Sequence, residues 1–278
     1  MFLSKYAFLI AVLIFFISYV NHLIYSIDRT KPVKSESIDN EIYEIADWWG
    51  NNSPYRILRN MNKVRIPFFV EKFKNSGNKI LDIGCGGGLV SEELALNGFY
   101  VTGIDRSINS LEIASNHWRA TQSDNDMVAP KYILGDAYKL PFDSESFDGV
   151  VISDVLEHLD DLKKVVNEIH RVLKPKGVLV FDTINRSIFS VLAIWALAQE
   201  IFGLLPPKAH DWQLFIQEHE LESILNSQGF KTNLREWRGI NPNWSNLLDI
   251  LTNGIYNGMS FVESIDLSGS YMGSAVKN

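Results

Sequence analysis

The chain has 278 residues, of which 46% are hydrophobic and 21% are charged, a composition typical of a folded protein. Its formal net charge of −7 argues against a basic surface that coats nucleic acid, so we expect no nucleic-acid partner. The single cysteine, Cys85, excludes an internal disulfide and a cysteine-based zinc site. The length allows one large domain or two small ones.

The N-terminal region contains a long uncharged stretch. Residues 6–27 carry no formal charge and lie between Lys5 and Asp28, and a helix of about 20 apolar residues can cross a bilayer. Because the stretch has no small-residue cleavage site, it favours an uncleaved anchor over a signal peptide or a buried helix. We therefore expect a single-pass transmembrane helix in residues 1–27, followed by a polar linker over 28–40. More basic residues follow the stretch than precede it, which predicts that the rest of the chain is cytoplasmic.

From residue 41 onward, predicted helices and strands alternate along the chain. Short apolar runs predict the strands, and apolar residues at helical spacing predict the helices between them. This alternation is typical of right-handed βαβ units in an α/β fold, with a mostly parallel sheet covered by helices on both faces. The predicted strands cover residues 79–83, 99–104, 131–134, 147–153 and 178–182.

A glycine-rich turn follows the first predicted strand. Asp82, Gly84, Gly86 and Gly88 form a D-x-G-x-G-x-G pattern there, and glycines at this edge of a parallel sheet let the backbone approach a ligand closely. Asp105 ends the second predicted strand, where a carboxylate suits the two hydroxyls of a ribose. The spacing of the glycines differs from the nicotinamide-dinucleotide fingerprint, which disfavours a dehydrogenase.

The sequence Gly135-Asp136-Ala137 follows the third predicted strand in a similar way. With the glycine turn and the acidic residue after the second strand, it makes the region resemble class I S-adenosylmethionine-dependent methyltransferases. The resemblance implies a Rossmann-like fold with a seven-stranded, mostly parallel sheet, and S-adenosylmethionine as methyl donor. It also implies that the acidic residue after the third strand contacts the adenine amine.

Three polar residues follow the fourth predicted strand. Asp154, Glu157 and His158 are spaced i, i+3, i+4, which brings them to one side of a helical turn. Two functional interpretations remain open: His158 is a general base for a phenolic proton, or the three residues bind a divalent metal, for which oxygen-rich ligands favour Mg²⁺. A helix N-terminus with a surface histidine is the structural alternative.

A second apolar segment covers residues 187–205 and contains one charged residue, Glu200. It is short for a membrane span, so we interpret it as a lid over a hydrophobic substrate or as a membrane-contact helix. A buried core helix is the alternative interpretation.

The chain is also similar, over residues 41–245, to the ubiquinone-biosynthesis O-methyltransferases. The motifs that carry this resemblance, besides the glycine turn, are Trp48-Trp49, Asn62-x-x-Arg65, Glu157-His158, Thr183-x-Asn185-Arg186, His210-Asp211-Trp212 and Gly239-x-Asn241-Pro242. The resemblance implies methylation of a ring hydroxyl on a polyprenylated phenol or catechol, at a membrane and alongside other quinone-biosynthesis enzymes. Two alternatives remain: the protein methylates another small molecule, or it is a non-catalytic subunit that binds the methyl donor.

The resemblance also assigns site residues by position, within a methyltransferase domain over 41–278. Carried over in this way, Arg65, Gly84, Asp105 and Ser153 would contact the methyl donor. With the residues of the motifs above, the predicted donor-binding set comprises Arg65, Asp82, Gly84, Gly86, Gly88, Asp105, Asp136, Ala137 and Ser153. The catalytic or metal-binding set comprises Asp154, Glu157 and His158.

Overall fold

A computed structural model describes residues 2–35, 47–51, 53, 55–122, 127–201 and 208–278. Its strands are β1 (Lys79–Ile83), β2 (Tyr100–Asp105), β3 (Lys131–Leu134), β4 (Phe147–Ser153), β5 (Leu173–Ile184), β6 (Phe230–Thr232), β7 (Arg238–Pro242), β8 (Phe261–Ser264) and β9 (Ser270–Lys277). Its α-helices are α1 (Phe2–Ser26), α2 (Arg56–Phe73), α3 (Leu89–Leu96), α4 (Ile108–Thr121), α5 (Leu162–Val172), α6 (Ile188–Ser190), α7 (Glu218–Ser227), α8 (Leu247–Asn253) and α9 (Ile255–Gly258). A π-helix, Val191–Ile201, continues α6.

The strands form one sheet in the order β3-β2-β1-β4-β5-β9-β7-β8, with β6 also paired to β9. Strands β1 to β5 run parallel to one another, and β9 pairs with β5 in the antiparallel direction. The chain order reverses between β1 and β4, and ligands of such sheets bind at the carboxyl ends of the strands beside that reversal. The expected α/β fold with a parallel core is confirmed.

The predicted number of seven strands was wrong, because the described residues form nine. The short strand β6 has three residues, and β8 lies in a polar part of the chain where the sequence shows no alternation of apolar and polar residues. Both strands form by pairing with distant strands, β6 with β9 and β8 with β7. Such pairing depends on tertiary contacts that local patterns do not carry.

Buried side chains pack on both faces of the sheet. Consecutive residues of β4 separate into two clusters: Val150 belongs to the cluster that includes α5 and α7, whereas Val151 belongs to the one that includes α2 and α3. Because successive side chains of a strand point to opposite faces, helices cover the two faces as predicted.

The expected membrane anchor was wrong, and with it the predicted single-pass placement of the domain on the cytoplasmic side. In the part of the chain that the structure describes, no helix is both long and apolar enough to span a bilayer. The C-terminal end of α1 instead packs on the fold: Ile24 is 1% exposed and contacts Ile184 and Phe215. Arg186 donates hydrogen bonds to the carbonyls of Ile24 and Ile27, at 2.9 and 2.8 Å.

The segment after α1 lies against the domain rather than apart from it. Residues 28–35 contain neither helix nor strand, as a linker would. The Val33 amide donates to the Asp160 carbonyl at 3.0 Å, and the Ser35 hydroxyl donates to Asp211 at 2.7 Å. The rest of the expected linker and the start of the expected domain, residues 36–46, lie outside the described residues.

Candidate active site

The glycine turn after β1 lies at the reversal point of the sheet. Gly84, Gly86 and Gly88 have φ angles of +72°, +49° and +86°, a region that side-chain-bearing residues rarely adopt. A Cβ at Gly86 would lie 2.5 Å from the Trp48 ring. Glycine is therefore required both for the backbone conformation and for the close approach of this aromatic side chain.

The carboxylate of Asp105 is held rigidly at the end of β2. Its Oδ2 accepts a hydrogen bond from the Gly86 amide at 2.8 Å, and its Oδ1 accepts one from the Ser107 amide at 2.9 Å. Each carboxylate oxygen can accept a second hydrogen bond. The side chain can therefore accept hydrogen bonds from a ligand with hydroxyl groups, such as a ribose.

A cavity of about 280 Å³ lies at this edge of the sheet. The predicted site residues that line it come from the loops after β1, β2, β3 and β4: Gly84, Gly86, Asp105, Asp136, Ala137, Asp154 and His158. Residues of the predicted donor-binding set and of the predicted catalytic or metal-binding set thus line one cavity. Among the described residues, the other predicted ones are not part of the lining: Arg65, Asp82, Gly88, Ser153 and Glu157.

Arg65 is buried behind the cavity wall, with 1% of its side chain exposed. Its Nη1 forms ion pairs with Asp154 and, at 3.1 Å, with Asp182, while Ser153 donates to the second oxygen of Asp182. Burial disfavours the charged guanidinium, but the two carboxylates outweigh it and raise the pKa of Arg65. Asp154 itself has a φ of +53°, an unusual backbone conformation for a residue other than glycine.

Asp82 lies beneath the glycine turn, at 1% exposure. Its Oδ2 accepts a hydrogen bond from the Ser91 hydroxyl at 2.6 Å, which ties β1 to α3. Burial raises the pKa of Asp82 to about 7. At this position Asp82 is better placed to stabilise the glycine turn than to contact a ligand directly.

Glu157 and His158 form the 3-10 turn that follows β4, together with Leu156. Glu157 is fully buried, and its Oε2 accepts a hydrogen bond from Thr183 at 2.8 Å. Burial, reinforced by the negative charge of Asp154, raises the pKa of Glu157 well above its usual range. Both effects disfavour the charged form of this carboxyl group.

His210 was not predicted as a site residue, yet its ring stacks on His158 with centroids 5.2 Å apart. Burial, followed by the neighbouring His210, lowers the pKa of His158 to about 3, and burial lowers the pKa of His210 to about 4. Both imidazoles are neutral at pH 7. One nitrogen or oxygen atom from each of Glu157, His158 and His210 lies within 4.8 Å of the others.

Trp48 forms another part of the cavity wall that carried no predicted role. Its Nε1 donates to the Ser110 hydroxyl at 3.2 Å. Its neighbour Trp49 donates to the Gly87 carbonyl at 2.9 Å and stacks on His117 with centroids 3.4 Å apart. In the sequence, the Trp48-Trp49 pair was the signal for Trp48, and the His-Asp-Trp motif was the signal for His210. Neither motif shows which of its side chains faces the cavity.

Comparison with known proteins places this site in a family. Residues 81–181 match a family model described as a methyltransferase domain. The ubiquinone biosynthesis O-methyltransferase of Coxiella burnetii is 34% identical over 185 residues, which are 66% of this chain and 77% of that protein. The protein of the same name from Pseudomonas syringae pv. tomato is 34% identical over 74% of this chain and 84% of its own length.

Solved structures agree on the fold. The PH0226 protein of Pyrococcus horikoshii has a TM-score of 0.60 at 20% identity and covers 86% of this chain and 100% of its own. Magnesium protoporphyrin IX methyltransferase from Synechocystis, solved with bound S-adenosylhomocysteine (SAH), has a TM-score of 0.54 at 18% identity, covering 81% and 84%. The chain therefore belongs to the ubiquinone biosynthesis O-methyltransferase family and is an S-adenosylmethionine-dependent O-methyltransferase with the class I fold.

Proposed function

We propose that this protein methylates a ring hydroxyl of a polyprenylated phenol or catechol, a lipid precursor of a ubiquinone-type quinone. The observation that carries the proposal is the shared cavity: Asp105 and the glycine turn line one part, and Asp154 and His158 line another. The names of the relatives from Coxiella burnetii and Pseudomonas syringae support the same pathway.

The residues that line the cavity also suggest how the methyl donor binds. In this proposal Gly84 and Gly86 give the donor backbone access, Asp105 accepts hydrogen bonds from its ribose, and Asp136 and Ala137 contact its adenine. The remaining predicted donor-site residues act from behind the wall. Gly88 and Asp82 support the turn, and Arg65 and Ser153 orient the carboxylates of Asp154 and Asp182.

The donor supplies an electrophilic methyl group on a sulfonium sulfur. The cavity aligns a phenolic oxygen with that methyl, so that an oxygen lone pair forms the new C–O bond while the C–S bond breaks. His158 is neutral and accepts the phenolic proton. Even a weakly basic imidazole can do this, because the oxygen becomes strongly acidic as it bonds to carbon.

The apolar segment over 187–205 supports a substrate with a hydrophobic tail. Ile188, Val191 and Trp195 pack in one cluster with the end of α1. Gln199 binds the backbone of His210 in two hydrogen bonds, at 2.8 and 3.1 Å. The segment is thus joined to the histidine beside the cavity, which suits a lid that covers the tail; residues 202–205 lie outside the described residues.

Matched catechols with and without a prenyl tail test the proposal. We expect kcat/KM to be at least about tenfold higher for the catechol with the tail. Burial of each methylene group of the tail contributes about 0.8 kcal/mol, so burial of two is enough for this difference. Trp195→Ser should reduce this preference while leaving turnover of the tail-free catechol unchanged. Equal kcat/KM for the two catechols would reject a prenylated substrate and favour a soluble small molecule as the methyl acceptor.

A further inference from the structure

The segment that follows α1, residues 28–35, contacts the two loops that carry the stacked histidines, and we call it the N-terminal strap. The buried side chain of Arg29 donates a hydrogen bond from Nη2 to the Leu159 carbonyl. Leu159 ends the turn that contains His158, and both residues line the cavity. The hydrogen bond therefore holds the backbone directly after the proposed general base.

The strap makes two further hydrogen bonds to the same loops. The Val33 amide donates to the Asp160 carbonyl at 3.0 Å, which is a second bond to the loop after β4. The Ser35 hydroxyl donates to Asp211 at 2.7 Å, one residue after His210. The strap thus joins the two loops, whose histidine rings stack with centroids 5.2 Å apart.

Arg29 is an unfavourable residue for a purely structural contact. It is 1% exposed, and its Nε and Nη1 form no hydrogen bond with any described residue. Burial, and then the nearby charge of Arg186, lowers the pKa of Arg29 to about 10, so the side chain is still charged at neutral pH. A desolvated charge and buried donors without partners both reduce stability. The position that the contact gives to the turn explains it better than stability does.

We propose that Arg29 is a positioning residue for methyl transfer. By holding the Leu159 carbonyl, it keeps the His158 ring where the ring can accept the phenolic proton. This inference rests on the proposed function, because Arg29 acts through the role of His158 as a general base. Among the described residues, Arg29 is not part of the cavity lining, so its loss should affect the rate of transfer and leave donor binding unchanged.

The test compares Arg29→Met with the wild-type full chain. Methionine retains an unbranched side chain but removes the hydrogen-bond donor. We expect kcat with the prenylated catechol to fall at least about tenfold, since a displaced general base transfers the proton poorly. SAH affinity should stay the same, and the melting temperature should stay the same or rise. Arg29→Lys, which retains the charge and a donor, should recover most of the lost kcat.

A second acceptor separates the positioning of His158 from general damage to the fold. The electron-withdrawing group of a nitrocatechol with the same tail lowers the pKa of its ring hydroxyl. At mildly alkaline pH this hydroxyl is already ionised, so its methylation needs no general base. Arg29→Met should therefore lose much less kcat with the nitrocatechol than with the ordinary catechol.

Lys31→Ala is the matched control on the strap, because Lys31 is exposed and pairs with Asp28 at 3.2 Å. Hydrogen exchange over residues 156–161 should accelerate in Arg29→Met and stay at the wild-type rate in Lys31→Ala. Wild-type kcat in Arg29→Met, an equal loss with both catechols, or unchanged exchange at the turn would overturn the role of Arg29. If the wild type methylates neither catechol, the proposed function fails, and the exchange rate still decides whether Arg29 holds the turn.

Discussion

At the scale of single residues, the proposed role of Asp105 in donor binding gives a direct test. Two backbone amides hold its carboxylate, and hydrogen bonds to a charged acceptor contribute about 1.5–3 kcal/mol each. We expect Asp105→Ala to weaken SAH binding about 100-fold in titration calorimetry. Asp148→Ala removes a carboxylate that pairs with Lys174 at the opposite end of β4 and should leave SAH binding unchanged; equal losses in the two variants would contradict this role.

The stacked histidines predict a pH dependence of stability. In the folded chain the pKa of His210 is about 4, below the usual 6.5, so at pH 4 to 6.5 the unfolded state binds more protons. Stability therefore falls as pH falls through this window. Between pH 7 and pH 5, metal-free wild type should lose about 2 kcal/mol more unfolding free energy than His210→Phe. Denaturant titrations at both pH values measure this, and parallel pH profiles would refute it.

At the scale of elements, the turn between β1 and α3 and the Trp48 segment depend on each other. Gly86→Ala strains a positive φ and drives its Cβ into the Trp48 ring at 2.5 Å. Gly98→Ala is the matched control, since Gly98 has a φ of +89° with open space around it. Gly98→Ala should cost about 1–2 kcal/mol in unfolding free energy from the positive φ alone, and Gly86→Ala should cost more because of the clash with Trp48. Only Gly86→Ala should also weaken SAH binding, by more than tenfold.

Titration calorimetry with SAH on the two glycine variants separates the effect of backbone strain on binding from the effect of the contact with Trp48. If Gly98→Ala weakens SAH binding as much as Gly86→Ala does, strain in the region is sufficient, and the contact with Trp48 has no role in binding. If neither variant weakens binding, the glycine turn does not hold the donor.

At the scale of the whole molecule, Arg186 joins α1 to the domain. Its guanidinium donates to carbonyls of Ile24, Ile27 and Phe215 and pairs with Glu220 at 2.6 Å. Arg186→Leu leaves the Glu220 carboxylate buried without this partner, which costs about 3–5 kcal/mol. Hydrogen exchange over residues 24–33 should accelerate. Arg238→Leu, which removes a half-exposed pair with Glu263, should change stability by less than about 1 kcal/mol and leave this exchange rate unchanged.

The sequence predicted the parallel half of the sheet because each βα unit is encoded locally, by an apolar strand and an amphipathic helix. The same local signals located Asp105, Asp154 and His158, which lie at or shortly after the ends of strands and share the cavity. They could not locate His210, because its contact with His158 joins residues that lie far apart in the sequence.

The anchor prediction failed for a related reason. Length and absence of charge in residues 6–27 do not distinguish a membrane helix from one whose end packs on a protein. The hydrogen bond from Arg186 to the Ile24 carbonyl, which holds the end of α1 on the domain, spans 162 residues. Local hydropathy carries no information about a partner so distant in sequence.

The central claim is that this cavity transfers the methyl group of S-adenosylmethionine to a phenolic oxygen. The most direct measurement is a single-turnover reaction of the full chain with methyl-labelled donor and a prenylated catechol, followed by mass spectrometry of the product. We predict one labelled methyl group on a ring oxygen, one SAH per product, and loss of both in His158→Ala, which should still bind SAH. Label on a ring carbon, or no transfer from a chain that binds SAH tightly, would contradict the claim.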